Sequence, residues 1–127
     1  MKSILLVDDD HGILDLLGLA LEGRGYTQEK GYRIAKAASG EEALKKYSSY
    51  CIVLVTDQHL PGMEGTDLLH QMEDVIPYKF MFSSPEDPLS YLEAQNRARE
   101  RGAEVFKKPG QMRQLLDRID QLMVEHE

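Results

Sequence analysis

The sequence predicts an α/β fold in which a five-stranded parallel sheet carries helices on both of its faces. Short apolar runs of strand length alternate along the chain with stretches whose apolar residues recur every three or four positions. The most apolar of these runs are rich in β-branched residues, as buried parallel strands are. Strands and helices alternate from beginning to end, and each parallel connection needs a crossover that a helix normally provides.

The predicted strands are separated by stretches long enough to hold a helix. The first and third are continuous apolar runs, which fits strands buried at the centre of a sheet. The five predicted strands are Ile4–Val7, Tyr32–Ala37, Ile52–Val55, Tyr78–Phe82 and Ala103–Lys107.

Capping residues and glycines mark the ends of the predicted helices. Gly23 ends the first helix, and Ser39 with Glu42 forms a capping box at the start of the second. Asp87 followed by Pro88 is an N-cap and first-turn pair for the fourth helix. The predicted helices cover residues 13–21, 40–47, 68–72, 88–101 and 111–123.

Composition limits the classes of function open to this chain. Its 127 residues fit one domain, and no apolar run reaches the roughly 20 residues that a membrane helix needs. The formal net charge of -7 gives no basis for direct binding to nucleic acid phosphates. The single cysteine, Cys51, opens the third apolar run and is expected to be a small buried side chain without a redox role. We expect a cytoplasmic protein with one domain over residues 1–127, without membrane or nucleic acid contacts.

Polar side chains follow four of the predicted strands. Because the carboxyl ends of parallel strands meet at one edge of a sheet, where ligand sites form, these residues are expected to converge. They are Asp8, Asp9 and Asp10 after the first strand, Asp57 after the third, Ser83 and Ser84 after the fourth, and Lys108 after the fifth. Capping of the next helix explains any one acid more simply, and Asp10 fits that role. Joint placement at four strand ends indicates a functional site.

Repulsion among three of these acids predicts a bound cation. Asp8, Asp9 and Asp57 place three negative charges in one cleft, and Lys108 offsets only one of them. A divalent ion brings the sum of charges to zero. Hard oxygen ligands with room for water favour Mg²⁺ over softer metals.

Four short motifs carry a family resemblance. They are Leu5–Asp10 (LLVDDD), Val55–Gly65 (VTDQHLPGMEG), Phe82–Ser84 (FSS) and Lys108–Pro109 (KP). In the second, an aspartate is followed after three residues by proline, and an acidic residue precedes glycine. Together they resemble the receiver domain of bacterial response regulators over essentially the whole chain. The resemblance implies a flavodoxin-like fold of five βα units, with strand order 2-1-3-4-5.

The resemblance also implies roles for the acids. Asp57 would be the phosphoacceptor, which takes a phosphoryl group from a phosphohistidine on a sensor histidine kinase or phosphotransfer protein. Asp9, Asp57 and the backbone carbonyl of His59 would bind Mg²⁺ directly, and Asp8 would bind it through a water molecule.

Three further residues would surround the phosphoryl group. Lys108 would pair with one phosphoryl oxygen, Ser83 would donate its hydroxyl to another, and the backbone N–H of Ser84 would donate to the same group. In relatives the peptide bond corresponding to Lys108–Pro109 is cis, and the same is expected here.

Signalling in the resembling family couples phosphorylation to an aromatic residue on the last strand. Phe106 is the switch candidate, but it lies two residues before Lys108 where the family pattern has three. A shift of one residue reverses the direction of a strand side chain unless a bulge intervenes. A downstream protein partner is expected on the face made by the fourth helix, last strand and fifth helix.

Two other functions are compatible with parts of the sequence. A phosphatase resembling the haloacid dehalogenase family would use the first aspartate of Asp8–Gly12 as nucleophile. That family has threonine or valine where Gly12 stands and a further acidic motif after its lysine, whereas only a helical stripe follows Lys108. A degenerate receiver that binds partners without phosphorylation is suggested by Pro85 and Phe106. The complete set of acids, serine and lysine argues against it.

Overall fold

A computed structural model of the chain describes residues 1–85 and 87–126. Its strands are β1 (Lys2–Val7), β2 (Tyr32–Ala37), β3 (Cys51–Thr56), β4 (Tyr78–Ser83) and β5 (Ala103–Lys107). Its helices are α1 (His11–Gly23), α2 (Gly40–Lys46), α3 (Gly65–Gln71), α4 (Pro88–Glu100) and α5 (Met112–His126). All the predicted strands and helices are therefore confirmed. Within the described ranges, no helix combines the length and the apolar character needed to span a bilayer.

The strands form one parallel sheet in the order β2-β1-β3-β4-β5, which confirms the flavodoxin-like order. The chain runs from β1 outward to β2, crosses back to β3 and then continues outward to β5. The loops that leave β1 and β3 therefore diverge at the point where these neighbouring strands end. Such a switch point is where open α/β sheets place their ligand sites.

Two apolar cores lie on opposite faces of the sheet. One packs α1 and α5 against the strands, and the other packs α2, α3 and α4 against the opposite face. Leu5 and Leu6 are adjacent in β1 but belong to different cores, because successive strand side chains point to opposite faces. Burial on both faces explains why the sequences of β1 and β3 are apolar without interruption.

Side chains cap three helices as the sequence predicts. Asp10 accepts hydrogen bonds from two backbone N–H groups in the first turn of α1. The hydroxyl of Ser39 accepts from the N–H of Glu42 at the start of α2, and Asp87 accepts from the N–H of Ser90 at the start of α4. These bonds satisfy donors that a helix leaves open at its N-terminus.

β1 begins two residues before its apolar run. Lys2 pairs with Tyr32 of β2, and its N–H donates to the carbonyl of Gly31 at 2.9 Å. Gly31 has a φ of 87° and ends a short 3₁₀ helix, Gln28–Lys30, in the loop before β2. Pairing with a strand remote in sequence therefore sets this boundary, which is why the apolar pattern alone missed it.

Cys51 is buried at the start of β3, and its thiol donates a hydrogen bond to the carbonyl of Val53 at 3.4 Å. Burial raises the pKa of this thiol to about 11. Because the thiolate is the reactive form, we expect native protein at pH 8 to react with iodoacetamide about 100-fold more slowly than urea-unfolded protein. Alkylation rates followed by mass spectrometry test this, and equal rates would contradict it.

Candidate functional site

Strand ends bring the predicted site residues to one edge of the sheet. Backbone hydrogen bonds extend the pairing one residue past the strands and fix the positions of these residues relative to one another. They run from the N–H of Asp8 to the carbonyl of Ala37 (3.0 Å), from Asp57 to Val7 (2.9 Å) and from Lys108 to Ser83 (3.0 Å). Parallel pairing, rather than loop structure, therefore holds the site together.

Asp8, Asp9 and Asp57 form a cluster of carboxylates. One carboxylate oxygen from each lies within 4.8 Å of the others, so the three could bind the same ion. Asp8 is 3% exposed and Asp57 is 9% exposed, whereas Asp9 lies at the surface. Oxygen donors alone, with one side open to water, are the arrangement that Mg²⁺ accepts. The donor set therefore fits the predicted ion, and the contribution of the His59 carbonyl stays a prediction.

Lys108 contacts two of these acids. Its ammonium donates a hydrogen bond to Asp8 and lies 3.3 Å from Oδ2 of Asp57. Burial raises the pKa of Asp8, although the hydrogen bond from Lys108 opposes this shift. The Lys108–Pro109 peptide bond is cis, as the resemblance predicts. One ammonium among three carboxylates leaves an excess of negative charge, which favours binding of a cation.

The loop after β3 orients the Asp57 carboxylate. The backbone N–H of Gln58 donates to Oδ1 of Asp57 at 2.8 Å, which leaves Oδ2 on the side of Lys108. Gly65 packs so tightly behind this loop that a Cβ there would lie 2.1 Å from the carbonyl oxygen of Asp57. Only glycine fits at this position, which explains the glycine that ends the VTDQHLPGMEG motif.

Ser83 and Ser84 lie at the end of β4, beside a cavity of about 230 Å³. Ser83 is 1% exposed, and Ser84 is at the surface. The other walls of the cavity come from the loop after β3, including His59 and Glu64, and from α4, including Tyr91. Both serines therefore stand at the strand end where the sequence places them, and their contacts with a phosphoryl group stay predictions.

Phe106 packs against the core formed with α1 and α5, and its ring centre lies 6.1 Å from that of Phe80. Val105, three residues before Lys108, packs against the opposite core. Ser83 shares the face of Met81 in β4 by strand alternation, and Met81 also belongs to that opposite core. Phe106 therefore points away from the face that Ser83 shares with Val105.

The sequence pattern did not reveal two buried polar residues near Asp57, which are Gln58 in the loop after β3 and Thr66 in the first turn of α3. Gln58 follows Asp57 directly, and its side chain bonds to the first turn of α3. The available signal was a glutamine two residues after a buried strand, because an amide that is buried there needs hydrogen-bond partners.

The sequence profile of the response regulator receiver domain family matches residues 4–120. The chain belongs to this family. Receiver domains are signalling domains of two-component systems rather than enzymes in the usual sense. The site at the edge of this sheet is therefore the acidic site of a receiver domain.

Several proteins are similar to this receiver domain. A two-component response regulator of rice, ORR27, is 38% identical over 88 residues, which cover 66% of this chain and 13% of that protein. The response regulator SaeR of Staphylococcus epidermidis is 28% identical, and the match covers 97% of this chain. The chain spans 51% of the length of SaeR.

Two solved receiver domains have the same fold. The crystal structure of a CheY-like receiver domain from Methanospirillum hungatei superposes with a TM-score of 0.80 at 32% identity, covering 98% of this chain and 95% of that one. The non-phosphorylated HemR receiver domain of Leptospira biflexa gives a TM-score of 0.72 at 28% identity, covering 95% and 93%. Both likenesses extend over nearly the whole chain and support the family assignment.

Proposed function

We propose that this receiver domain accepts a phosphoryl group on Asp57 from a phosphohistidine, in a reaction that depends on Mg²⁺. The observation that carries the proposal is the placement of Asp57, whose carboxylate lies within reach of two other acids and 3.3 Å from the Lys108 ammonium. Its nearby charges suit a transferring phosphoryl group with a cation beside it.

The proposed step balances without a further reactant. A carboxylate oxygen of Asp57 forms a bond to phosphorus while the P–N bond breaks, and the electron pair of that bond returns to the ring nitrogen of the histidine, which takes up a proton from water. Asp8, Asp9, Asp57 and the His59 carbonyl are the proposed Mg²⁺ ligands. When bound, Mg²⁺ neutralises charge on the phosphoryl oxygens.

The remaining site residues would stabilise the phosphoryl group. Lys108 is held at the site through Asp8 and would exchange part of that contact for a phosphoryl oxygen. Ser83 would donate its hydroxyl and Ser84 its backbone N–H. Donors fixed at a strand end lose little freedom on binding, so their effect on the transition state is large.

Phosphorylation adds about −1.5 to −2 charges and three acceptor oxygens, which would draw Ser83 and its loop inward. We propose that a downstream partner binds the face of α4, β5 and α5. Leu89 and Leu92 of α4 are exposed, which fits a protein-binding surface that includes this helix. Phe106 stays the switch candidate taken from the resemblance, although its position against Phe80 favours a role in the core.

We propose that residues 1–127 form one receiver domain, which acts in the cytoplasm. This domain catalyses only the gain and loss of its own phosphoryl group. A degenerate receiver is the alternative, and the haloacid dehalogenase phosphatase is the weaker one because Gly12 stands where that family has threonine or valine and only a helical stripe follows Lys108.

The test is the mass of the intact protein after incubation with a small phosphodonor such as acetyl phosphate. With Mg²⁺ we expect a gain of one phosphoryl group that hydroxylamine removes, because acyl phosphates react with that nucleophile. A chelator in place of Mg²⁺ is expected to prevent the gain. No mass change with any donor would favour the degenerate receiver, and multiple turnover of phosphate esters would favour the phosphatase.

A further inference from the structure

Gln58 is a buried polar residue in the loop that connects β3 to α3. Its side chain is 4% exposed. The carbonyl oxygen Oε1 accepts a hydrogen bond from the N–H of Thr66 at 3.0 Å. The amide nitrogen Nε2 donates to Oε2 of Glu64 at 3.1 Å and lies 3.5 Å from the hydroxyl of Thr66. One side chain therefore bonds to two residues six and eight positions further along the chain.

We propose that Gln58 is a positioning residue for Mg²⁺ binding and phosphoryl transfer at Asp57. This inference rests on the proposed function. Gln58 would act through the loop that it closes, which contains the His59 carbonyl, and it would not contact the metal or the phosphoryl group.

The main chain of Gln58 links the Asp57 carboxylate to the start of α3, where its side chain is also bonded. Its N–H donates to Oδ1 of Asp57, and its carbonyl accepts from the N–H of Gly65 at 2.8 Å. A shift of Gln58 would therefore turn the Asp57 carboxylate and move the start of α3 together. Because Oδ2 of Asp57 faces Lys108, such a turn would alter the charged side of the site.

The Gln58 side chain also stabilises the start of helix α3. Thr66 is in the first turn of α3, where backbone N–H groups have no partner within the helix. Oε1 of Gln58 supplies the partner for one of them. The buried amide is thus fully engaged, and both of its ends fix the loop that runs from Asp57 to Gly65.

The experiment compares two variants that differ in this hydrogen bonding. In Gln58→Met the side chain keeps its length and loses its hydrogen bonds. The double variant Gln58→Glu with Glu64→Gln exchanges the two functional groups, so the new carboxylate can accept from Thr66 and from the new amide while the net charge is unchanged. The Mg²⁺ dissociation constant is measured by NMR titration, and the exchange rate of the Thr66 amide hydrogen is measured in metal-free protein.

For Gln58→Met we expect Mg²⁺ affinity about tenfold weaker and exchange of the Thr66 amide about tenfold faster. The reason is that methionine cannot make the side-chain hydrogen bonds that hold the loop against α3. The exchanged double variant is expected to return both quantities to within about threefold of wild type. If the role of Gln58 were purely structural, Gln58→Met would lower the unfolding temperature and leave the Mg²⁺ dissociation constant unchanged. Should Gln58→Met fail to fold, Gln58→Asn, whose shorter amide cannot reach Thr66, takes its place.

An unchanged Mg²⁺ dissociation constant in the folded variant would overturn the positioning role. So would weak binding that the exchanged double variant fails to restore. Wild-type protein that binds no Mg²⁺ and gains no phosphoryl group would instead overturn the proposed function, and with it the role of Gln58. The wild-type titration thus separates the two failures.

Discussion

Asparagine in place of Asp57 is expected to abolish phosphoryl uptake from both a small phosphodonor and a phosphohistidine. The amide is a far weaker nucleophile than the carboxylate, so the rate should fall below about 1% of the wild-type rate. The fold should not change, because the Oδ1 of asparagine can still accept from the N–H of Gln58. Intact-protein mass spectrometry over a time course with Mg²⁺ measures the effect.

Asp74→Asn is the matched control for this substitution. Asp74 is exposed, and it precedes β4, so it lies at the end of the sheet opposite to the site. The same change of carboxylate to amide there should leave uptake unchanged. If Asp57→Asn kept a phosphoryl group or turned over phosphate esters, the nucleophile would have to be another acid, and Asp8 of the haloacid dehalogenase reading would be the first to replace.

The sheet was predictable because its pattern depends on local sequence. Continuous apolar runs mark the buried strands β1 and β3, and Asp10, Ser39 and Asp87 mark helix starts through bonds to residues two or three positions away. The early start of β1 was not predictable, because it depends on pairing between Lys2 and Tyr32. Boundaries set by a distant strand leave no trace in a window of neighbouring residues.

The site was predictable to the level of which residues meet, since parallel strands bring their carboxyl ends together. Which atoms pair was not. The sequence gives no reason for Lys108 to contact Asp8 more closely than Asp57, or for Gln58 to bond across the loop to Thr66. Those contacts depend on side-chain directions that only the packed structure fixes. The direction of Phe106, by contrast, was predictable, because its position two residues before Lys108 reverses a strand side chain relative to the family pattern.

Mg²⁺ is expected to raise the unfolding temperature of the wild-type protein, and Asp9→Ala to remove that rise. An ion that binds only the folded state at a hundred times its dissociation constant adds about 2.7 kcal/mol of stability. For a domain of this size, that corresponds to an increase of roughly 10 °C. Asp9 is exposed, so its loss should cost the fold little, whereas it removes one of the three clustered carboxylates. Thermal unfolding followed by circular dichroism, with Mg²⁺ or a chelator, measures both proteins.

The same experiment without Mg²⁺ should reverse the order of the two proteins. In the chelated protein, three carboxylates share one ammonium, and removal of Asp9 relieves repulsion of about 1 kcal/mol. Asp9→Ala should therefore unfold at a higher temperature than wild type with chelator, and at a lower one with saturating Mg²⁺. Asp74→Ala, which removes an acid outside the cluster, should keep the full response to Mg²⁺. A stabilisation by Mg²⁺ that persists in Asp9→Ala would place the ion elsewhere, because only an ion bound among these carboxylates makes the same side chain unfavourable without metal and favourable with it.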